Sequence, residues 1–157
     1  MGEVFRGRLV SVEVREGRYR EIVHHPGSCA VVALVQGEVV LVRQYRDAVD
    51  QETLEIPAGI RDVDGEDAAG CAARELLEET GYRAARLEPL ASIHASPGFL
   101  DERIDMFLGD AEPGGRSEAG IEVVRMPLDR AVEAVRTGEI TDAKSAVGIL
   151  LAAGRSD

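Results

Sequence analysis

No run of apolar residues approaches the ~20 needed to span a bilayer, so a membrane-spanning helix is excluded. The opening residues, Met1 to Arg6, lack the apolar centre of a secretory signal, and none is expected. Cysteine is scarce. Cys29 and Cys71 lie far apart and have no metal-ligand spacing, which points to a reduced, cytoplasmic setting. The three histidines have no ligand spacing either, and His24 and His25 are read as packing or solvent-facing side chains. Positive charge is also short: 18 Lys and Arg stand against 29 Asp and Glu, a formal net charge of −11. That argues against nucleic acid as a partner, because sequence-independent binding needs basic groups to neutralise phosphates. It leaves room for a small phosphorylated substrate, since a bound cation and a few local arginines can dominate a cleft. There is no internal repeat and no low-complexity tract.

What is present is ordinary globular chemistry: 157 residues, 45% hydrophobic and 30% charged, enough for one domain over 1–157 with a real core. Val4 to Val14 and Tyr19 to His25 predict a β-hairpin turning at Glu16-Gly17, followed by a break at Pro26-Gly27. Residues 1–27 thus form an N-terminal segment of their own. Ala30 to Val35 and Val39 to Val42 are apolar on both faces and predict central strands. Thr53 to Ile56 is extended, and Pro57 disfavours helix there. Ala58 to Gly65 reads as a loop and Glu66 to Thr80 as a helix stopped by Gly81. Further strands are expected over Leu87 to His94, Arg103 to Leu108 and Ile121 to Met126, with helices over Leu128 to Arg136 and Ala143 to Ala153. Gly109 to Gly120, with four glycines, Pro113 and three acids, reads as a loop. The elements read as mixed α and β, fold class α/β (α+β).

The most informative run is Arg74-Glu75-Leu76-Leu77-Glu78-Glu79-Thr80-Gly81. Residues three and four apart share a helix face, so Glu75, Glu78 and Glu79 project together. Clustered carboxylates raise one another's pKa unless something positive lies between them, and a hard divalent cation suits an all-oxygen donor set. Ala69, Ala72, Ala73, Leu76 and Leu77 form the opposite, packing side. Arg74 is placed to reach Glu78 at i,i+4. Taken without its flanks, such a face is simply a solvated acidic one.

With its flanks the pattern resembles the Nudix box: Gly59, then Glu66, then seven residues to Arg74-Glu75-Leu76-Leu77-Glu78-Glu79-Thr80-Gly81. Two departures stand out. Six residues rather than five separate Gly59 from Glu66, and Tyr82 replaces the usual aliphatic. The insertion falls in the loop and leaves the helical spacing intact. Other segments look like the ADP-ribose pyrophosphatase subgroup. They are Glu21 to Gly27, Val42 to Arg46, Leu54 to Gly59, Ser96-Pro97-Gly98-Phe99 with Glu102 after it, and Ile140 to Ser145.

The resemblance implies an α/β/α sandwich around a mixed β-sheet and Mg²⁺-dependent hydrolysis of ADP-ribose to AMP and ribose 5-phosphate, with Mn²⁺ able to substitute. Other nucleoside diphosphate sugars or nucleotide derivatives are the alternative substrates, and a non-catalytic ADP-ribose-binding module is the remaining one. It implies metal ligands at Glu75 and Glu79, helped by Glu78 and the Ala58 carbonyl. Gly59, Glu66 and Arg74 would give structural support, although Glu66 also reads as a plain first-turn acid. A loop glutamate would orient the water. Glu112, Glu118 and Glu122 are in range, and Glu118 is chosen because Glu122 falls in a predicted strand. Arg46 would contact phosphate, or else cap its strand. Arg20 would stack near the adenine. Phe99 would line the ribose pocket or fill core, and Glu102 would complete the substrate site. The N-terminal hairpin resembles the segment through which such enzymes form homodimers.

Overall fold

The computed structural model describes residues 2–16 and 20–155. In chain order the strands are β1 (Gly2–Arg6), β2 (Ser11–Arg15), β3 (Arg20–His24), β4 (Ser28–Val35), β5 (Glu38–Arg46), β6 (Gln51–Glu55) and β7 (Ala58–Ile60). Helix α1 (Ala68–Thr80) follows, then β8 (Tyr82–Ala84), β9 (Glu88–His94), β10 (Arg103–Pro113) and β11 (Glu122–Pro127). Helices α2 (Leu128–Thr137) and α3 (Ala143–Ala153) complete the order.

An all-apolar strand must be covered on both faces, and β4 is. Its alternate side chains Cys29, Val31 and Ala33 meet Cys71, Ala72 and Leu76 of α1. The others, Ala30 and Val32, face a second core with Ala131 and Ala134 of α2 and Ile149 and Ala152 of α3. The period of two along one strand therefore builds the helix–sheet–helix sandwich. Leu76 is fully buried, and its truncation to alanine should cost about 2–5 kcal/mol.

The eight-stranded sheet runs β11-β5-β4-β10-β8, with β6 on β5, β7 on β4 and β9 on β10. Only β4 and β10 pair in parallel, so the sheet is mixed. Among the described residues no helix is long and apolar enough to cross a membrane.

Four expectations change. The N-terminal segment is a three-stranded sheet rather than a hairpin, because Gly7 donates to the Val10 carbonyl (2.8 Å) and folds the first arm back on itself. The arms β2 and β3 do pair, while residues 17–19 of the expected turn lie outside the described residues. Strand β10 runs on to Pro113 because β8 pairs with its end, setting Glu112 opposite Arg83; Glu112 is thus a strand residue and not a loop acid. Ala58 to Ile60 is a short strand on β4 rather than loop. Finally, Cys29 and Cys71 are joined in a disulfide, correcting the reduced reading. Packing of α1 on β4 brings their Cα atoms to 6.2 Å across a separation of 42 residues, a proximity that linear spacing cannot reveal.

Candidate active site

Asp67 caps α1, its carboxylate accepting from Gly70 N–H at 2.7 Å. The helix ends at Gly81, whose positive φ of 73° suits glycine and whose N–H donates to the Leu77 carbonyl. Glu66 therefore precedes the helix instead of lying in its first turn. Its carboxylate takes the guanidinium of Arg74 at 3.1 Å. The same guanidinium reaches Glu75 at 2.6 Å and Glu78 at 3.1 Å, so one cation gathers three of the predicted carboxylates.

Glu79 turns inward and is buried. Gln44 donates to one of its oxygens (2.8 Å) and Ala58 N–H to the other (3.2 Å). Burial raises the pKa of Glu79, against the pull of those two donors. Burial likewise raises that of Glu75; Arg74 opposes the rise, and the charges of Glu78 and Asp62 add to it. Gly59 explains how Glu75 fits: a Cβ at that position would fall on the Glu75 carboxyl. The glycine is thus required by close approach.

Beside these groups lies a cleft of about 380 Å³ whose walls include Ala58, Gly59, Glu75, Arg74, Arg46 and Lys144. Arg46 does not stand free in it. Its fork grips Glu55 with two bonds of 2.7 Å. Lys144 Nζ reaches Glu55 at 2.6 Å and Thr53 Oγ1 donates to it at 2.6 Å. Burial would raise the Glu55 pKa, but these donors outweigh it and hold the carboxyl down to about 2. Glu55 and Lys144 were not singled out from sequence. The available signal was an acid inside the buried run Leu54-Glu55-Ile56, which demands a cationic partner.

Arg20 and Phe99 line a shared hollow of about 530 Å³ with Val12, Val23 and Gly98, between the N-terminal sheet and the segment after β9. Phe99 is exposed, so it is not core filler. Glu102 accepts from Ser28 Oγ at 2.7 Å, and Ser28 also borders the cleft beside Glu75. Glu118 lies next to Glu78: its N–H donates to the Glu78 carbonyl at 2.7 Å, and both line one depression. Glu122 is in β11 and pairs with Arg43 at 3.2 Å.

The NUDIX domain profile matches residues 23–145. The chain belongs to the Nudix family. Two curated relatives have similar standing. The methanol dehydrogenase activator of Bacillus methanolicus is 34% identical, over 94% of this chain and 86% of its own. The ADP-ribose pyrophosphatase of Bacillus subtilis is 35% identical over the same shares. A crystal structure of an ADP compounds hydrolase superposes with a TM-score of 0.79 at 22% identity, covering 97% of this chain and 89% of that one; it shares the fold.

Read as a Nudix site, the donor set suits a hard divalent cation. Its donors are oxygens, two carboxylates are penalised by burial for their charge, and a glycine makes room for one of them. As they stand, no three acidic, histidine or cysteine side chains among the described residues are arranged to hold a metal ion. Arg74 already holds Glu75 and Glu78, and Glu79 is engaged by Gln44 and Ala58.

Proposed function

We propose that this Nudix protein hydrolyses the pyrophosphate of ADP-ribose to AMP and ribose 5-phosphate. The carrying observation is the carboxylate group of α1, gathered by Arg74 and pressed on Gly59, beside a cleft bearing Arg46 and Lys144. The substrate is supported by the relative named ADP-ribose pyrophosphatase. Glu75, Glu78, Glu79 and the Ala58 carbonyl would hold Mg²⁺, for which Mn²⁺ substitutes. When bound, the ion neutralises the pyrophosphate and acidifies water. Gly59, Glu66 and Arg74 position those ligands. Glu118 orients the attacking water and accepts its proton. Arg46 binds phosphate with its planar fork. Arg20 stacks on the adenine, Phe99 borders the ribose, and Glu102 with Ser28 completes the substrate wall.

The protein is proposed to act as a homodimer through the N-terminal sheet, without nucleic acid. Val4 and Phe5 of β1 are more than half exposed, an apolar surface suited to burial by a second subunit. A purely monomeric mass by light scattering at micromolar concentration would contradict this. The proposed compartment is the cytoplasm, where nucleotide derivatives are made. The thiol state of Cys29 and Cys71 in the native pool tests that compartment, because reducing compartments keep thiols unpaired.

The test is Mg²⁺-dependent hydrolysis of ADP-ribose, ADP-glucose, GDP-mannose, NADH and an oxidised guanine nucleotide, with products identified by mass. AMP and ribose 5-phosphate, with kcat/KM highest for ADP-ribose, is the expected result. A higher value for another compound keeps the site and moves the substrate. No turnover of any of them overturns the assignment.

A further inference from the structure

The Arg46–Glu55–Lys144 cluster has an asymmetry that the proposed reaction alone does not require. Glu55 is 4% exposed as a side chain and Lys144 13%, whereas Arg46 is 43% exposed at the cleft wall. Lys144 is fixed from two sides, by Glu55 at 2.6 Å and by Asp142 at 2.9 Å. Asp142 in turn caps α3, accepting from Ser145 N–H at 3.0 Å. Ser145 Oγ accepts from Ile56 N–H at 2.8 Å, which seats the helix start on the residue after Glu55. The inner cation is thus locked into the scaffold, while the outer one, among the described residues, makes its side-chain hydrogen bonds to the Glu55 carboxylate.

A buried carboxylate with two cations can release one without being left uncompensated; with one it cannot. We propose that Lys144 is a positioning residue that keeps Glu55 neutralised while Arg46 exchanges its carboxylate for a substrate phosphate. The inference rests on the reading of the cleft as a diphosphate site. In the resting protein two hydrogen bonds of 2.7 Å to Glu55 fix the planar Arg46 fork at the cleft wall. When an anion arrives, the fork moves to the phosphate, and Lys144 with Thr53 continues to satisfy Glu55. No bond is made or broken and no proton moves. Lys144 therefore acts on affinity, through the ease with which Arg46 is released.

The test is a double-mutant cycle on the full chain, read as KM and kcat for ADP-ribose. Circular dichroism and a thermal melt on each variant establish that it is folded. Lys144→Met leaves Glu55 dependent on Arg46 alone, so KM should rise about tenfold with kcat changed less than about threefold, as befits lost uniform binding. Lys144→Arg keeps the charge and should return KM toward the wild-type value. Glu55→Gln removes the charge left behind, so adding Lys144→Met to it should change KM by less than about twofold. A merely structural lysine would give effects that multiply across the two sites. That result, or a Lys144→Met KM within about twofold of wild type, overturns the proposal. Wild-type protein inactive on ADP-ribose would instead sink the substrate reading. The cycle is then repeated as the Kd of AMP by calorimetry with EDTA present, where the same pattern is expected and additivity is again disproof.

Discussion

The backbone N–H of Glu118 donates to the carbonyl of Glu78 at 2.7 Å, tying the loop after β10 to the last turn of α1. Gly81 prepares this contact. Its carbonyl accepts from Gly114 and Gly115 N–H at 2.8 and 2.9 Å, and a Cβ on Gly81 would crowd the backbone of residues 115–117. The loop acid is thus located by main-chain bonds, and its carboxylate can be changed without undoing its position.

Glu118→Gln should therefore lower kcat about 100-fold, the size of a lost general base, while leaving the melting temperature near wild type. Steady-state kinetics with ADP-ribose and a thermal melt check it. A kcat within about threefold of wild type would remove Glu118 from the mechanism.

Gly59→Ala places a methyl group where the Glu75 carboxyl lies. The carboxylate must move or the β4–β7 pairing must open. Overpacking of this kind costs about 1–3 kcal/mol, and displaced Glu75 should also weaken cation binding. Denaturant unfolding gives the first and Mn²⁺ titration by electron paramagnetic resonance the second; wild-type values in both would contradict the close approach.

Acid should find Glu55. Its folded pKa is about 2 against an unfolded value near the ordinary 4.5, so the group adds stability that is complete above about pH 4.5 and lost as pH falls toward 2. Glu75 and Glu79, both raised, work in the opposite sense. The comparison that isolates Glu55 is the melting temperature of wild type and Glu55→Gln from pH 6 to pH 2.5. The gap should narrow steadily below about pH 4.5. A gap independent of pH would show that Glu55 is not a depressed carboxylate.

The Cys29–Cys71 disulfide closes 42 residues of chain and joins β4 to α1. On the loop-entropy account it should contribute about 4 kcal/mol. Intact mass without reductant should be two hydrogens below the thiol form, and prior reduction under denaturing conditions should lower the refolded melting temperature. Alkylation of freshly lysed cells decides the compartment: free thiols in the native pool would agree with a cytoplasmic protein, and a protected pair would not.

Sequence reading reached furthest where one element carries its own logic. The span Ala143–Ala153 was readable from its small and aliphatic face, and the bond from Arg74 to Glu78 from helical spacing. It failed where the partner is remote. Glu55 and Lys144 are 89 residues apart, Arg74 grips an acid outside the helix, and Cys29 meets Cys71 only because two elements stack. Strand β8 is three residues long and exists because the end of β10 offers it hydrogen bonds, a signal no local window holds.

Lys144 stands at the start of α3, a helix that follows the whole sheet in chain order, yet it completes a cleft wall begun at Ser28 and Arg46. A chain emerging from the ribosome can therefore form most of the sheet and the carboxylate helix before the cleft wall is complete. Growth from the N-terminus would keep such an intermediate incompetent for substrate until α3 docks.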